Sequence, residues 1–105
     1  MNKLRLESRV RNGSAVVYLD GYLNESGGEL LEQECRSLLS RGCRALELDF
    51  ARASMVNSIG ISYLLDVIES ARQGEARLEF VSVPEDIRLL FELLGITGRV
   101  PVRKP

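Results

Sequence analysis

The fold is decided by the stretch LDFARASMVNSIGI, which occupies residues 48–61 of the 105-residue chain. Its first residues end an apolar run from Ala45 to Phe50, whose alternating pattern predicts a buried strand. Its last residues open a helix, because apolar side chains recur there at the spacing of one helical face: Ile61, Leu64, Leu65, Ile68 and Ala71. Residues 51–57 are expected to be a short connection between the two elements.

Upstream of this stretch the sequence predicts a β-hairpin and a first helix. Leu4 to Val10 and Ala15 to Leu19 are expected strands, and the Asn12-Gly13 pair between them favours a tight hairpin turn. Asp20-Gly21 is expected to turn the chain after the second strand. The helix that follows has Ser26 and Glu29 at the spacing of a capping box, and Gly42 suits its end.

Downstream the pattern continues with a strand, a third helix and a last short strand. The strand runs from Arg77 to Val83, Pro84 begins the helix, and Val100 to Val102 form the edge strand. The resulting order is β-β-α-β-α-β-α-β, and strands that alternate with helices imply parallel pairing through right-handed crossovers. We therefore expect one α/β domain over residues 1–105, with a mixed β-sheet and three main helices.

Composition argues against several classes of function. The chain has 14 basic and 15 acidic residues without a block of like charge, which disfavours direct nucleic-acid binding. It has no histidine, and Cys35 and Cys43 form no metal-binding motif, so no enzyme activity, metal or cofactor is expected. No apolar run is long enough to insert in a membrane, and the cysteines fit a reduced, cytoplasmic protein, with Cys35 in the core.

Three motifs resemble those of STAS domains, the family of sulfate transporter and anti-sigma factor antagonist domains. The first is the quoted stretch 48–61, in which Asn57-Ser58-Ile59-Gly60 follows a strand and opens a helix. The second is the segment 19–24, LDGYLN, ahead of the first helix, and the third is the late helical segment 87–96, IRLLFELLGI. They occur in the order that the family shows and cover roughly residues 15 to 100.

The resemblance implies a bacterial regulatory module that docks an anti-sigma factor, itself a serine kinase, and thereby influences transcription. By position, the phosphorylated residue is Ser58, and phosphorylation ends the docking. The residues that the resemblance places at the partner-binding surface are Asn24, Met55, Val56, Asn57, Ile59, Gly60 and Ile61. Where phosphorylated family members usually carry Asp, this chain has Asn24 and Asn57. A homodimer is left open.

Local sequence allows other interpretations of the same residues. Asn57 or Ser58 can act simply as a helix N-cap, which does not exclude phosphorylation of Ser58. An alternative function is a STAS subunit docked permanently in a larger complex, such as a lipid transporter or a signalling assembly, without phosphorylation. A third is a small-molecule or nucleotide sensor, although the sequence contains no phosphate-binding loop.

Overall fold

A β-hairpin opens the computed structural model, which describes residues 3–105. Strands β1 (Arg5–Arg11) and β2 (Ser14–Leu23) pair antiparallel. Asn12 and Gly13 both have positive φ, 51° and 80°, as a two-residue hairpin turn with the right twist requires. The predicted hairpin is therefore confirmed.

Strand β2 extends further than its sequence predicts. The chain does not turn at Asp20-Gly21 but continues as strand to Leu23. The pairing register with the next strand shifts between Tyr18 and Asp20 and again after Gly21, whose φ is 118°. A glycine tolerates that backbone conformation, so the irregularity is absorbed inside the strand instead of ending it.

Helix α1 (Glu25–Ser40) leads back to strand β3 (Ala45–Val56), which runs parallel to β2. The prediction of a connection over residues 51–57 is wrong for residues 51–56, because these residues pair with the extended part of β2 as far as the Leu23–Val56 pair. The two strands consequently end side by side, and helix α2 (Ser58–Gln73) begins directly after β3.

The remaining elements complete a four-stranded mixed sheet. Strand β4 (Arg77–Val81) pairs parallel to β3, and helix α3 (Glu85–Leu93) and a short 3₁₀ turn (Ile96–Gly98) follow. The sheet order is β1-β2-β3-β4. The expected last strand is reduced to one parallel bridge between Val102 and Phe80. One α/β domain with three helices results, as predicted.

One face of the sheet is buried beneath the helices, and its opposite face is open to solvent. Phe50, Phe80 and Phe91 pack together in the core, with ring centroids 5.2–5.6 Å apart. Cys35 is buried in the same core, as its place on the apolar stripe predicts, and burial raises the pKa of its thiol to about 12. Across residues 3–105, no helix has the length and apolar character needed to cross a membrane.

Candidate functional site

Two helix N-termini lie side by side at the carboxyl end of the sheet. Helix α1 follows β2 and helix α2 follows β3, and these strands are parallel neighbours that end together. The backbone N–H of Asn57 donates to the carbonyl of Leu23 at 3.1 Å, which joins the two strand ends. The sheet thus brings Asn24 and Asn57, which are far apart in sequence, to adjacent loops.

Asn57 is the N-cap of α2. Its Oδ1 accepts from the backbone N–H of Gly60 at 2.8 Å, and its carbonyl oxygen accepts from Ile61 at 2.9 Å. The side chain therefore satisfies one backbone donor that a helix start otherwise leaves free, and the carbonyl accepts the first regular hydrogen bond of the helix. Ser58 is the first helical residue, and its exposed hydroxyl has no hydrogen-bond partner among residues 3–105. The structure assigns the capping role to Asn57, not to Ser58.

Asn24 caps α1 in the same manner. Its Oδ1 accepts from the backbone N–H of Gly27 at 3.0 Å and from the hydroxyl of Ser26 at 3.2 Å. The predicted capping box of Ser26 and Glu29 is wrong, because the extended β2 delivers Asn24 to the N-cap position before Ser26 is reached. The repeated Asn-x-x-Gly pattern at 24–27 and 57–60 is the sequence signal that identifies both caps.

The glycines near these caps allow very close packing. A Cβ on Gly60 would lie 2.2 Å from the carbonyl oxygen of Leu23, so α2 sits directly on the end of β2. A Cβ on Gly28 would lie 2.4 Å from Cδ2 of Tyr63, so α1 and α2 cross in contact. The start of α2 is therefore held by contact with the backbone of Leu23, and the crossing of α1 and α2 by contact of Gly28 with the Tyr63 side chain; close-packed contacts of this kind deform little.

The residues that resemblance places at the partner surface divide into two groups. Met55 and Ile59 flank Ser58 and are 51% and 43% exposed, while Asn24 and Asn57 are half-buried beside them. The other three residues are buried and shape the surface from beneath: Val56, Gly60 and Ile61. We call the exposed patch of Met55, Ser58 and Ile59 the Ser58 surface.

Acidic side chains surround Tyr63, which lies on α2 one turn beyond Ile59. Burial, followed by the charges of Glu29 and Glu25, raises the pKa of the Tyr63 hydroxyl above its usual value, and Glu32 and Asp66 act in the same direction. The first turn of α2 itself has no carboxylate. Ser58 thus occupies a helix start whose first turn carries no acidic side chain.

The described residues offer no assembled metal site. No group of three or more cysteine or carboxylate side chains within residues 3–105 is arranged to hold a metal ion. This end of the molecule presents the exposed hydroxyl of Ser58 and the two exposed apolar side chains of Met55 and Ile59.

Comparison with known proteins identifies the family. The family model described as Mlab, STAS domain matches residues 8–103. The chain is also similar to BtrV of Bordetella bronchiseptica, which is named as an anti-sigma factor antagonist, with 29% identity over 87% of this chain and 78% of that protein. The chain belongs to the STAS-domain family.

Solved structures show the same fold. An anti-sigma factor antagonist from Mycobacterium paratuberculosis superposes with a TM-score of 0.84 at 18% identity, over 98% of this chain and 87% of that chain. The phosphorylated form of SpoIIAA, a Bacillus cell fate determinant, superposes with a TM-score of 0.73 at 19% identity, over 95% of this chain and 90% of that chain. The fold is therefore that of the anti-sigma factor antagonists, as the three sequence motifs predict.

Proposed function

We propose that this chain is a cytoplasmic anti-sigma factor antagonist that docks an anti-sigma factor with serine kinase activity. The Ser58 surface is the docking site, and phosphorylation of Ser58 ends the docking. The observation that carries the proposal is that Asn57 performs the capping, which leaves the exposed hydroxyl of Ser58 free of any structural role among the described residues. The similarity to BtrV supports the same function.

A phosphate on Ser58 is compatible with the folded domain. The cap of Asn57 uses the amides of Gly60 and Ile61, so the first two amides of α2 stay available to solvent or to an anion. The positive end of the helix dipole favours a negative charge there. Phosphorylation adds a charge of about −1.5 to −2 without requiring that the domain refold.

The same phosphate is incompatible with a docked partner. Met55 and Ile59, which precede Ser58 by three residues and follow it by one, are apolar and exposed, so we expect a partner that covers them to cover the hydroxyl as well. Burying an unpaired charge in such a contact costs several kcal/mol, and a change of about 3–5 kcal/mol moves occupancy decisively. One phosphoryl group therefore suffices as the switch.

The asparagines in place of the family's aspartates leave this geometry intact. Asn24 and Asn57 each accept the backbone N–H that an N-cap carboxylate accepts, because the amide carbonyl oxygen occupies the same place. The neutral amides also place no carboxylate directly beside a phosphate on Ser58. We infer that the substitutions alter the charge that a kinase encounters and preserve the backbone of the site.

The test is an intact-mass measurement after incubation with ATP and the serine kinase encoded nearest to the gene. We expect one added phosphoryl group in the wild type, none in Ser58→Ala, and retention of the group in the controls Ser54→Ala and Ser62→Ala. A phosphoryl group that persists in Ser58→Ala would refute Ser58 as the acceptor.

Docking is tested separately by titration calorimetry with the same kinase. Ser58→Asn keeps a polar, uncharged side chain and is expected to bind like the wild type, whereas Ser58→Asp is expected to lose at least tenfold in affinity. Tight binding by both variants, together with no phosphorylation, would instead indicate a permanently docked subunit of a larger complex.

A further inference from the structure

The two edges of the sheet differ in whether their backbone groups are paired. Strand β4 lies at one edge, and the C-terminal segment covers it: the N–H of Phe80 donates to the carbonyl of Pro101 at 2.9 Å, and the N–H of Arg103 donates to the carbonyl of Phe80 at 2.8 Å. Strand β1 is the other edge. Among residues 3–105, no backbone group of Arg5–Arg11 bonds to the backbone of any segment other than β2. This edge is therefore open to another strand.

Apolar side chains at the β1 edge are left exposed. Leu6, Ser8 and Val10 lie on the helix-covered face of β1, since each pairs with a buried residue of β2. Val10 is nevertheless 53% exposed. On α1, Leu30 is 44% exposed and lies one turn before Glu34, whose carboxylate accepts from the hydroxyl of Ser8. The edge thus carries two exposed apolar side chains beside an open strand.

Strand β1 is complementary to itself in one antiparallel register. When Ser8 of one copy faces Ser8 of a second copy, all seven residues of the strand pair. Glu7 then faces the second copy's Arg9, and Arg9 faces its Glu7, which gives two pairs of opposite charge on the open face of the sheet. On the other face, Leu6 of each copy faces Val10 of the other and covers it.

Glu7 and Arg9 have no competing charge directly beside them on β2. Across that strand pair they face Tyr18 and Val16, which are uncharged. Among residues 3–105 their ion pair is with each other, at 3.1 Å, and both side chains are exposed. A second copy therefore completes a group of four alternating charges without displacing another partner.

The charges of β1 also select this register over its neighbours. Moving the pairing by two residues places either Glu7 against Glu7 or Arg9 against Arg9, and like charges in direct opposition destabilise a strand pair. Moving it by one residue turns the second copy's helices to the other face. In the favoured register, Arg5 and Arg11 meet at the two ends of the contact, where both are exposed and Arg5 has Asp20 as its neighbour on β2.

We propose that two copies of this chain associate through their β1 edges, antiparallel about a two-fold axis at Ser8, into one sheet of eight strands, four from each copy. A second copy is the occupant because the edge complements itself both in charge and in apolar side chains. The Ser58 surface follows β3, two strands away from this edge. The dimer therefore leaves both Ser58 surfaces uncovered, pointing to opposite ends of the sheet.

The size of the contact predicts a weak dimer. The seven paired residues extend about 24 Å along the edge, and a sheet layer with its helix layer is roughly 20 Å thick. Each copy buries roughly 500 Å², less than the ~800 Å² per partner of a stable complex. Because a two-fold contact uses the same surface on both copies, the association closes at two.

Sedimentation equilibrium of the purified full chain at about 20 μM and about 1 mM tests the association and involves neither a kinase nor Ser58. We expect the average mass to rise above 11.7 kDa with concentration and to stay below twice that value. A monomer at both concentrations would overturn the proposal and leave the edge to a strand of another protein. Growth beyond the dimer would contradict a two-fold contact.

Exchanging the two charges tests the register. Glu7→Arg and Arg9→Glu each place like charges opposite each other at two symmetry-related positions, and we expect each to weaken association at least tenfold. The double variant E7R/R9E restores both opposite-charge pairs at the net charge of the wild type, so it is expected to associate like the wild type. A double variant as weak as the single variants would refute charge pairing in this register.

Disulfide formation locates the axis. Cys35 and Cys43 are buried, so Ser8→Cys supplies a new, accessible thiol. Facing Cα atoms of antiparallel strands are about 4.5–5.5 Å apart, a separation that a disulfide spans. We expect Ser8→Cys to oxidise to a covalent dimer at least tenfold faster than Ser14→Cys, whose exposed thiol lies on β2 away from the axis. Equal rates would place the contact elsewhere and overturn the proposal.

Discussion

Replacing Gly60 by alanine tests whether backbone contact holds the Ser58 surface in place. The new Cβ would lie 2.2 Å from the carbonyl oxygen and 2.9 Å from the carbonyl carbon of Leu23. Both atoms belong to the backbone at the end of β2, so no side chain can rotate to make room. Helix α2 must therefore move away from the strand by about 1 Å before the contact becomes normal.

The expected change in the free energy of unfolding of Gly60→Ala is the sum of one stabilising and several destabilising effects. Alanine is a better helix former than glycine by about 1 kcal/mol, which stabilises the variant. Overpacking costs about 1–3 kcal/mol. Displacing the helix start also disturbs the cap of Asn57, worth about 1 kcal/mol, and its backbone bond to Leu23, worth another ~1 kcal/mol. We expect a net loss of about 2–4 kcal/mol.

Urea unfolding monitored by circular dichroism measures this loss, because the midpoint falls while the slope stays constant if only stability changes. Gly74→Ala is the matched control on the same helix: its Cβ meets no atom closer than 3.4 Å, and we expect a change within about 0.5 kcal/mol. A Gly60→Ala variant as stable as the wild type would refute the argument that α2 rests on the β2 backbone.

Two further predictions concern the cap and the buried thiol. Asn57→Ala should lower the free energy of unfolding by about 1 kcal/mol in urea titrations. Asn57→Asp should keep wild-type stability, since its carboxylate accepts the same Gly60 N–H. Equal losses of stability in the two variants would contradict the capping role of Asn57. The buried thiol of Cys35 gives the second prediction. Its pKa is 9.0 in the unfolded chain and is raised by burial to about 12 in the folded protein. Because the unfolded state loses its proton at lower pH, the free energy of unfolding should fall by up to about 1.4 kcal/mol per pH unit between these two pKa values. Cys35→Ala should show a shallower fall over the same pH range in urea titrations. Identical slopes of stability against pH in the wild type and the variant would contradict the burial effect.

Local sequence is sufficient for the elements whose signals are local. The Asn12-Gly13 turn, the apolar stripe of α2 and the burial of Cys35 agree with prediction because each depends on turn chemistry or on periodicity within one segment. The resemblance carried by residues 48–61 also led to the correct fold family before any contact was known.

The lengths of β2 and β3 depend on each other and were not predictable from either segment alone. Asp20-Gly21 has the composition of a turn, and residues 51–56 have that of a loop, yet the two segments pair and continue as strands to Leu23 and Val56. Pairing satisfies the backbone groups of both segments, and this gain outweighs their weak local preferences.

By itself, the sequence determined the order of elements, the α/β class and the position of Ser58 at a helix start. The tertiary structure decided that Asn57 and not Ser58 is the cap of α2, that Asn24 takes the cap of α1 in place of Ser26, and that the two caps lie side by side. The physical reason is that periodicity and turn chemistry act within a segment, whereas strand pairing and close backbone contact join residues that are distant in the chain.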